Sequence, residues 1–434
     1  MVCPRAGYYT LNMSFRGLRL ILAILAGGYA FAQGPASFTL AGDWDVRVDS
    51  QTVHVTPPVM ISVTAEKYTA IPIFKPNASG WTKGAQLRGV KTMETTCPNL
   101  LDPASFTLRA GPESDALLFT KADYDIDPIW GTFGRLADGR IQPEQAVYAS
   151  YRHAERRLDA VVLSSGGQII LRQGEPRAGE RLLGNIYLPG LVAKLEPDLL
   201  FPVIEQAYPE TAMPANATVT RIVRRLAGGQ TLRILAWGDS VTDGNYLPDK
   251  DTERWQEQFA ARLRERFPKA HVELITQAWG GRNTGSYLAE PPGSPHNYRE
   301  TVLGAKPDVV ISEFVNDAGL KPAQVEERYG KLLADFQGIG AEWIILTPHY
   351  VRPDWMGLTR ERDIDDDPRP YVAGLREFAA HHDVALADAS MRWGRLWRQG
   401  VPYSTLLVNS INHPNAQGQR IFADALMALF RPAD

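Results

Sequence analysis

The sequence predicts an α/β domain built on a parallel sheet, preceded by a β-rich domain. Three observations carry this. Over residues 36–204 apolar and polar residues alternate with period two between turn residues. Beyond Gly228-Gly229 the pattern changes to short apolar strands separated by helical repeats. The length of 434 residues, with 44% hydrophobic and 22% charged residues, suits two or three folded domains and excludes wholesale disorder.

The first stretch reads as an address. From Met13 the order is Arg16 and Arg19, the apolar run 18–26, then Ala30-Phe31-Ala32 before Gln33, the pattern of a secretory signal. The run is far shorter than the roughly 20 residues that cross a bilayer. The expectation is therefore cleavage near Ala32 and a secreted or periplasmic protein without a stable membrane anchor, with residues 1–12 an upstream extension. Cys3 leaves with the signal, and Cys97 remains as a small buried apolar residue.

In the β-rich region, 36–204, Trp44 to Val48 and Val53 to Thr56 alternate strictly. The clearest hairpin pairs Ala160–Leu163 with Gln168–Leu171 across Ser164-Ser165-Gly166-Gly167, where glycine supplies the positive φ of a tight reversal. Asp138-Gly139 marks another turn. No repeat of fixed period is present, so the expectation is a sandwich or jelly-roll-like domain rather than a propeller or solenoid. Residues 205–230, rich in Pro, Ala and Thr, read as the connection to the next domain.

Over 231–430 five strands are expected: Leu232–Trp237, His271–Thr276, Asp308–Glu313, Glu342–Thr347 and Val384–Asp388. Trp255, Phe259, Leu263 and Phe267 put one apolar face on the helix after the first strand. Residues 322–338 and 370–382 are helical in pattern, and 416–430 closes the chain with Phe422, Leu426, Leu429 and Phe430 on one side. Alternating strand and helix means a parallel sheet covered on both faces, whose ligands bind beyond the carboxyl ends of the strands.

Composition removes several function classes. Lys plus Arg total 46 against 49 Asp plus Glu, so no basic excess exists to neutralise phosphates and nucleic acid is not an expected partner. Two cysteines cannot build a metal site alone, the eight histidines include no pair spaced four apart, and the acidic run Asp363, Asp365, Asp366, Asp367 lacks the glycine and closing Glu of a Ca²⁺ loop. Neither metal nor cofactor is indicated.

The strand ends carry the chemistry. After strand one comes Gly238-Asp239-Ser240-Val241-Thr242-Asp243-Gly244. A serine on a tight turn behind a buried strand is lifted from the core beside free backbone N–H groups, as a nucleophile requires. The pattern is neither G-x-S-x-G nor a P-loop. Gly280-Gly281 follows strand two, Phe314-Val315-Asn316-Asp317 follows strand three, and His413-Pro414-Asn415 precedes the last helix.

Together these four blocks resemble the SGNH (GDSL-type) hydrolase family over about 231–430. The resemblance implies a flavodoxin-like sheet of about five strands and carboxylic ester hydrolysis through an acyl-enzyme. It implies Ser240 as nucleophile and His413 as base. It also implies an oxyanion hole from the N–H of Ser240, the N–H of Gly281 (with Gly280 as substitute) and the amide of Asn316.

Two departures stand out. Phe314 occupies the third block's usual glycine, so the backbone or cleft wall should differ there. Ser410 occupies the place of the family's Asp three residues before the histidine. A neutral side chain orients an imidazole without stabilising its cation. The expectation is a Ser240–His413 dyad with His413 held by a backbone carbonyl or Asn409, and Asp388, at the end of strand five, is the distant acid to inspect.

The loop after strand four, Thr347 to Trp355, should overhang the site, making His349, Arg352 and Trp355 candidate substrate contacts. For substrate, a secreted hydrolase with a β-rich partner domain points to a small ester or an acylated polysaccharide, with acetyl removed from carbohydrate. A lipase or thioesterase on longer acyl chains and a non-catalytic glycan-binding protein are the competing readings.

Overall fold

A computed structural model describes residues 34–206, 208 and 217–430; the expected export signal, and Cys3 with it, lie outside these. Among the described residues thirteen strands precede the α/β region: β1 Phe38–Leu40, β2 Asp45–Val48, β3 Gln51–His54, β4 Ile61–Tyr68, β5 Ala85–Gln86, β6 Leu101–Arg109, β7 Tyr124–Asp127, β8 Thr132–Arg135, β9 Val147–His153, β10 Arg157–Leu163, β11 Ile169–Gln173, β12 Arg181–Leu188 and β13 Leu200–Pro202. Their pairings are antiparallel, as period-two alternation demands. The expected hairpin forms between β10 and β11, Leu163 opposite Ile169, with Gly167 at φ 77°.

The β-rich region has two cores instead of one. Sheets β1-β2-β3 and β11-β10-β12-β13 enclose Val46, Val48, Val53, Val161, Leu183 and Ile186. Between β3 and β10 the chain builds a second pair of sheets, β4-β9-β6 and β5-β8-β7, around Tyr68, Leu87, Leu101, Leu108, Phe133 and Val147. The inserted unit closes on itself because its own alternating faces supply enough apolar area. Each fully buried Val, Leu or Phe is worth roughly 1.5–3 kcal/mol.

The second region is one parallel sheet of β14 Thr231–Gly238, β15 His271–Ala278, β16 Val309–Glu313, β17 Glu342–Leu346 and β18 Ala385–Ala387, in the order β15-β14-β16-β17-β18. This is the expected flavodoxin-like sheet, with each strand where its apolar run places it. Its helices are α1 Ala217–Ala227, α2 Ser240–Asp243, α3 Lys250–Glu253, α4 Trp255–Arg266, α5 Thr284–Ala289, α6 Pro322–Gly338, α7 Pro370–His381, α8 Ala389–Gly394 and α9 Ala416–Leu429. Ile234 and Ala236 of β14 point into a core shared with α1, α4 and α9, while Leu235 and Trp237 point into one shared with α6 and α7. Both faces are therefore buried, which is why the strands read as continuous apolar runs. Helix α1 lies inside the stretch read as a connection: Val219, Ile222 and Leu226 form one apolar side and join the sheet's core.

The β-rich region is docked on the α/β region. Tyr187 and Phe201 pack on Trp397, Asn185 Nδ2 donates to the Gly400 carbonyl at 2.7 Å, and the Ile204 N–H donates to the Arg398 carbonyl at 2.8 Å. Among the described residues no helix is long and apolar enough to cross a membrane.

Candidate active site

The switch point of the sheet lies between β14 and β16, and the first block sits at the end of β14 there. At Gly238 a Cβ would meet Thr242 Oγ1 at 2.1 Å and the Glu313 carbonyl oxygen at 2.5 Å, so only glycine lets the strand turn. Asp239 caps α2, its Oδ1 accepting from the Val241 N–H at 3.0 Å. Its Oδ2 accepts from both the backbone N–H and the side-chain Nδ2 of Asn316, at 2.9 and 3.0 Å. One carboxylate thus ties the first block to the third. Burial pushes the Asp239 carboxyl upward, against the bonds from Val241 and Asn316.

Ser240, the first residue of α2, is half-buried and opens on a cavity of about 390 Å³. The cavity is lined by Glu94, Ser240, Asp243, Asn245, Gly280, Gly281, Asn316, Asn412 and His413. Gly281 has φ 72° and open space where a Cβ would stand, so glycine is needed there for its backbone conformation and not for room. A Cβ on Gly280 would lie 3.8 Å from that of Ser240, an ordinary contact. Asn316 lines the cavity and spends one of its two amide protons on Asp239. Gly281 and Asn316, from the ends of β15 and β16, therefore line the same cavity as the Ser240 hydroxyl.

His413 Nε2 lies 3.0 Å from Ser240 Oγ, within the range for proton transfer. The ring is held on both sides. Tyr246 stacks on it at 4.2 Å between centroids and 6° between planes, and Tyr246 is itself fixed by Gln419 Nε2 at 2.8 Å. At the ring's other nitrogen, Nδ1 meets a carboxylate oxygen of Glu94, a residue of the inserted β unit. The same Glu94 oxygen accepts from Asn409 Nδ2 at 3.0 Å. Burial pushes the Glu94 carboxyl up, but the bond and charge of His413 and the Asn409 amide outweigh it and hold it below the usual carboxylate range.

Several expected residues stand elsewhere. Asp388 caps α8, accepting from the Met391 N–H at 3.0 Å, and pairs with Thr347 and Arg376, so it does not orient His413. Asn409 acts on the loop instead of the imidazole: its Oδ1 accepts the N–H groups of Ile411, Asn412 and His413. His349 is fully buried, with Nε2 2.7 Å from the Asn412 carbonyl, and burial together with the Arg369 charge pushes it down to about 3. A neutral core histidine is a strut for the His413 loop and not a substrate contact.

Arg352 lies over the rings of Trp130, Trp81 and Trp355, and its N–H donates to the Ile411 carbonyl at 2.7 Å. Of this cluster Trp355 is 52% exposed. Phe314 turns into the core, its ring 4.8 Å from that of Trp237, so the missing glycine changes the packing behind the third block and not the lining of the cavity. Ser410 has φ 57°, and its Oγ accepts from Arg156 on the β-rich side. Sequence reasoning missed Glu94 and Tyr246, since neither lies in a motif.

Residues 236–421 match the model of the GDSL-like Lipase/Acylhydrolase family. No curated protein matches the chain. Three solved structures illustrate the similarity. LAE5, an alpha/beta hydrolase enzyme from the metagenome of Lake Arreo, Spain, is 22% identical over 46% of this chain and 94% of its own, with a TM-score of 0.36. A two-domain esterase active on acetylated mannans is 17% identical over 49% of this chain and 52% of its own, with a TM-score of 0.40. A variant of an acetyl-xylooligosaccharide esterase from Geobacillus Stearmophilus is 16% identical over 46% and 95%, with a TM-score of 0.38. With three of the four blocks at the ends of the expected strands and the fourth before the last helix, residues 236–421 form a GDSL-like lipase/acylhydrolase (SGNH) domain.

Proposed function

We propose that the protein is an exported serine esterase that removes small acyl groups, acetyl foremost, from the hydroxyls of a carbohydrate. The observation that carries this reading is the Ser240–His413 contact of 3.0 Å at the floor of a cavity whose lining residues are all polar, charged or glycine. Ser240 Oγ attacks the ester carbonyl while His413 Nε2 takes its proton. The developing oxyanion is held by the N–H groups of Ser240 and Gly281 and by the Asn316 amide. The tetrahedral intermediate expels the sugar alkoxide, which leaves with the proton from His413. Water then attacks the acyl-enzyme with His413 as base, releasing the carboxylic acid and restoring Ser240.

A lining without any aliphatic side chain favours a short acyl group over the long chain of a lipid, which needs an apolar wall. The half-exposed Trp355, braced by Trp81 and Trp130, offers a face on which a sugar ring stacks, and the Arg352 N–H bond to Ile411 links it to the loop of His413. Glu94 at the imidazole speaks for a catalytic role over non-catalytic glycan binding.

A chain-length series of aryl esters tests the acyl specificity. The expected optimum is acetate, and an optimum at eight carbons or more would favour a lipase or thioesterase instead. Trp355→Ala is expected to raise KM severalfold for an acetylated oligosaccharide and leave an aryl acetate unaffected; equal effects on both would remove the carbohydrate assignment.

A further inference from the structure

We infer that Glu94 is the acidic member of the catalytic array, a positioning residue delivered to His413 by the β-rich insertion, so that the centre is complete only when the two regions are docked. This rests on the esterase reading above.

Four observations converge. The first is placement: a Glu94 carboxylate oxygen meets Nδ1 of the ring whose Nε2 meets Ser240 Oγ, the arrangement in which an acid orients an imidazole and stabilises the cation it becomes on taking the hydroxyl proton. The second is that the turn carrying Glu94 is built to hold it still. The Thr92 N–H donates to the Thr95 carbonyl at 2.8 Å, Lys91 pairs with Thr96, and the Thr96 hydroxyl is bonded to the Trp130 carbonyl. The third is a tether across the interface, from the buried Thr95 hydroxyl to the Asn409 carbonyl at 2.6 Å, while the Asn409 amide returns to Glu94.

The fourth is that the ordinary source of the acid is closed. Ser410, at the position where the resemblance places an aspartate, is turned to Arg156, whose guanidinium also reaches the Ser404 carbonyl at 3.3 Å and Cys97 Sγ at 2.6 Å. A carboxylate at 410 would face that guanidinium and not the imidazole.

The ionised Glu94 fixes the tautomer with the proton on Nδ1 and stabilises the imidazolium that forms when Ser240 attacks. Other groups near the ring are Tyr246, stacked on it, and the Asp239 carboxyl and buried neutral His349, both within electrostatic reach. Glu94 alone places a carboxylate on Nδ1 among the described residues.

The test uses the full mature chain, with Glu94→Gln, Glu94→Asp and Ser240→Ala assayed on an aryl acetate from pH 5 to 9. Glu94→Gln preserves size and the acceptor for Asn409. Its expected result is a loss in kcat of about 10²–10⁴-fold with KM changed by less than about threefold. The acid limb of its pH profile should move to lower pH, because the cation on His413 loses its counter-charge. Glu94→Asp should recover a measurable part of kcat and return the limb towards the parent's. Native circular dichroism and thermal unfolding must accompany these values.

A folded Glu94→Gln enzyme with parental kcat and an unmoved acid limb overturns the proposal. So does a variant that loses activity through KM alone, which would make Glu94 a substrate contact. Should Glu94→Gln not fold, the rate of fluorophosphonate labelling in Glu94→Ala decides: slowed labelling with the acid limb moved to lower pH supports the role, and parental labelling refutes it. Parental activity in Ser240→Ala would sink the esterase reading itself, and the role of Glu94 with it, whatever the Glu94 variants do.

Discussion

The turn that holds Ser240 and the turn that holds Glu94 meet on opposite sides of one imidazole, yet they are built in opposite ways. The Ser240 turn grows out of its own strand: Gly238 admits the reversal, Asp239 caps α2, and Gly244, at φ 66°, ends it. Its reversal, cap and stop fall within seven consecutive residues. The Glu94 turn is held by partners far away in sequence, Trp130 on its own side and Asn409 across the interface. A nucleophile needs exposure beside free N–H groups, which a strand end supplies by geometry alone. A charge-stabilising carboxylate needs only to reach Nδ1, and any region that packs there serves.

If that contrast is sound, damage to the local turn and its partners should be severe, and damage to the docked turn graded. His413→Ala removes the group both turns serve, and kcat on an aryl acetate is expected to fall by about 10⁴–10⁶-fold. Asn316→Ala deletes one oxyanion donor and should cost about 10²–10³-fold in kcat with little change in KM, leaving residual turnover readable in a stopped assay.

Thr95→Val breaks the tether while leaving Glu94 in place. Leaving the buried Asn409 carbonyl without that bond costs roughly 1–3 kcal/mol. If the turn shifts as a result, kcat should drop by about tenfold, a loss that Thr95→Ser restores. Parental kcat in a folded Thr95→Val protein would mean that the turn holds its position without the interface.

The smallest effect on activity should come from Glu313, which is fully buried and accepts from the Thr242 hydroxyl at 3.4 Å and from the Val315 N–H. Burial and the charge of Asp239 push its carboxyl well above the ordinary range. The folded state therefore holds a proton that the unfolded state releases, and the stabilisation declines as pH rises from the ordinary carboxylate pKa towards the folded-state value. Glu313→Gln should thus raise Tm relative to the parent at pH 8, leave it unchanged near pH 4, and keep most of kcat. A Tm difference independent of pH would show that Glu313 is charged in the fold.

Much of the α/β region was legible because its determinants are periodic or adjacent. Strands such as β14 and β16 are buried on both faces, so their apolar runs admit one reading, and α6 begins at Pro322 and ends at Gly338 as its pattern predicts. Asp388 shows the limit of adjacency: a carboxylate at a strand end suits either a cap or a catalytic role, and only coordinates show it capping α8. His349 and Arg352 were conspicuous by residue type, but one is a buried strut and the other the centre of a tryptophan cluster.

By itself the sequence determined the parallel sheet and the four blocks that hold the proposed nucleophile, donors and base, because each rests on hydrophobic periodicity or on a short motif whose backbone geometry is local. Tertiary structure alone decided how the imidazole is held. Glu94 and His413 are 319 positions apart. Their encounter depends on two separately packed regions docking in one orientation, and no local spacing records that.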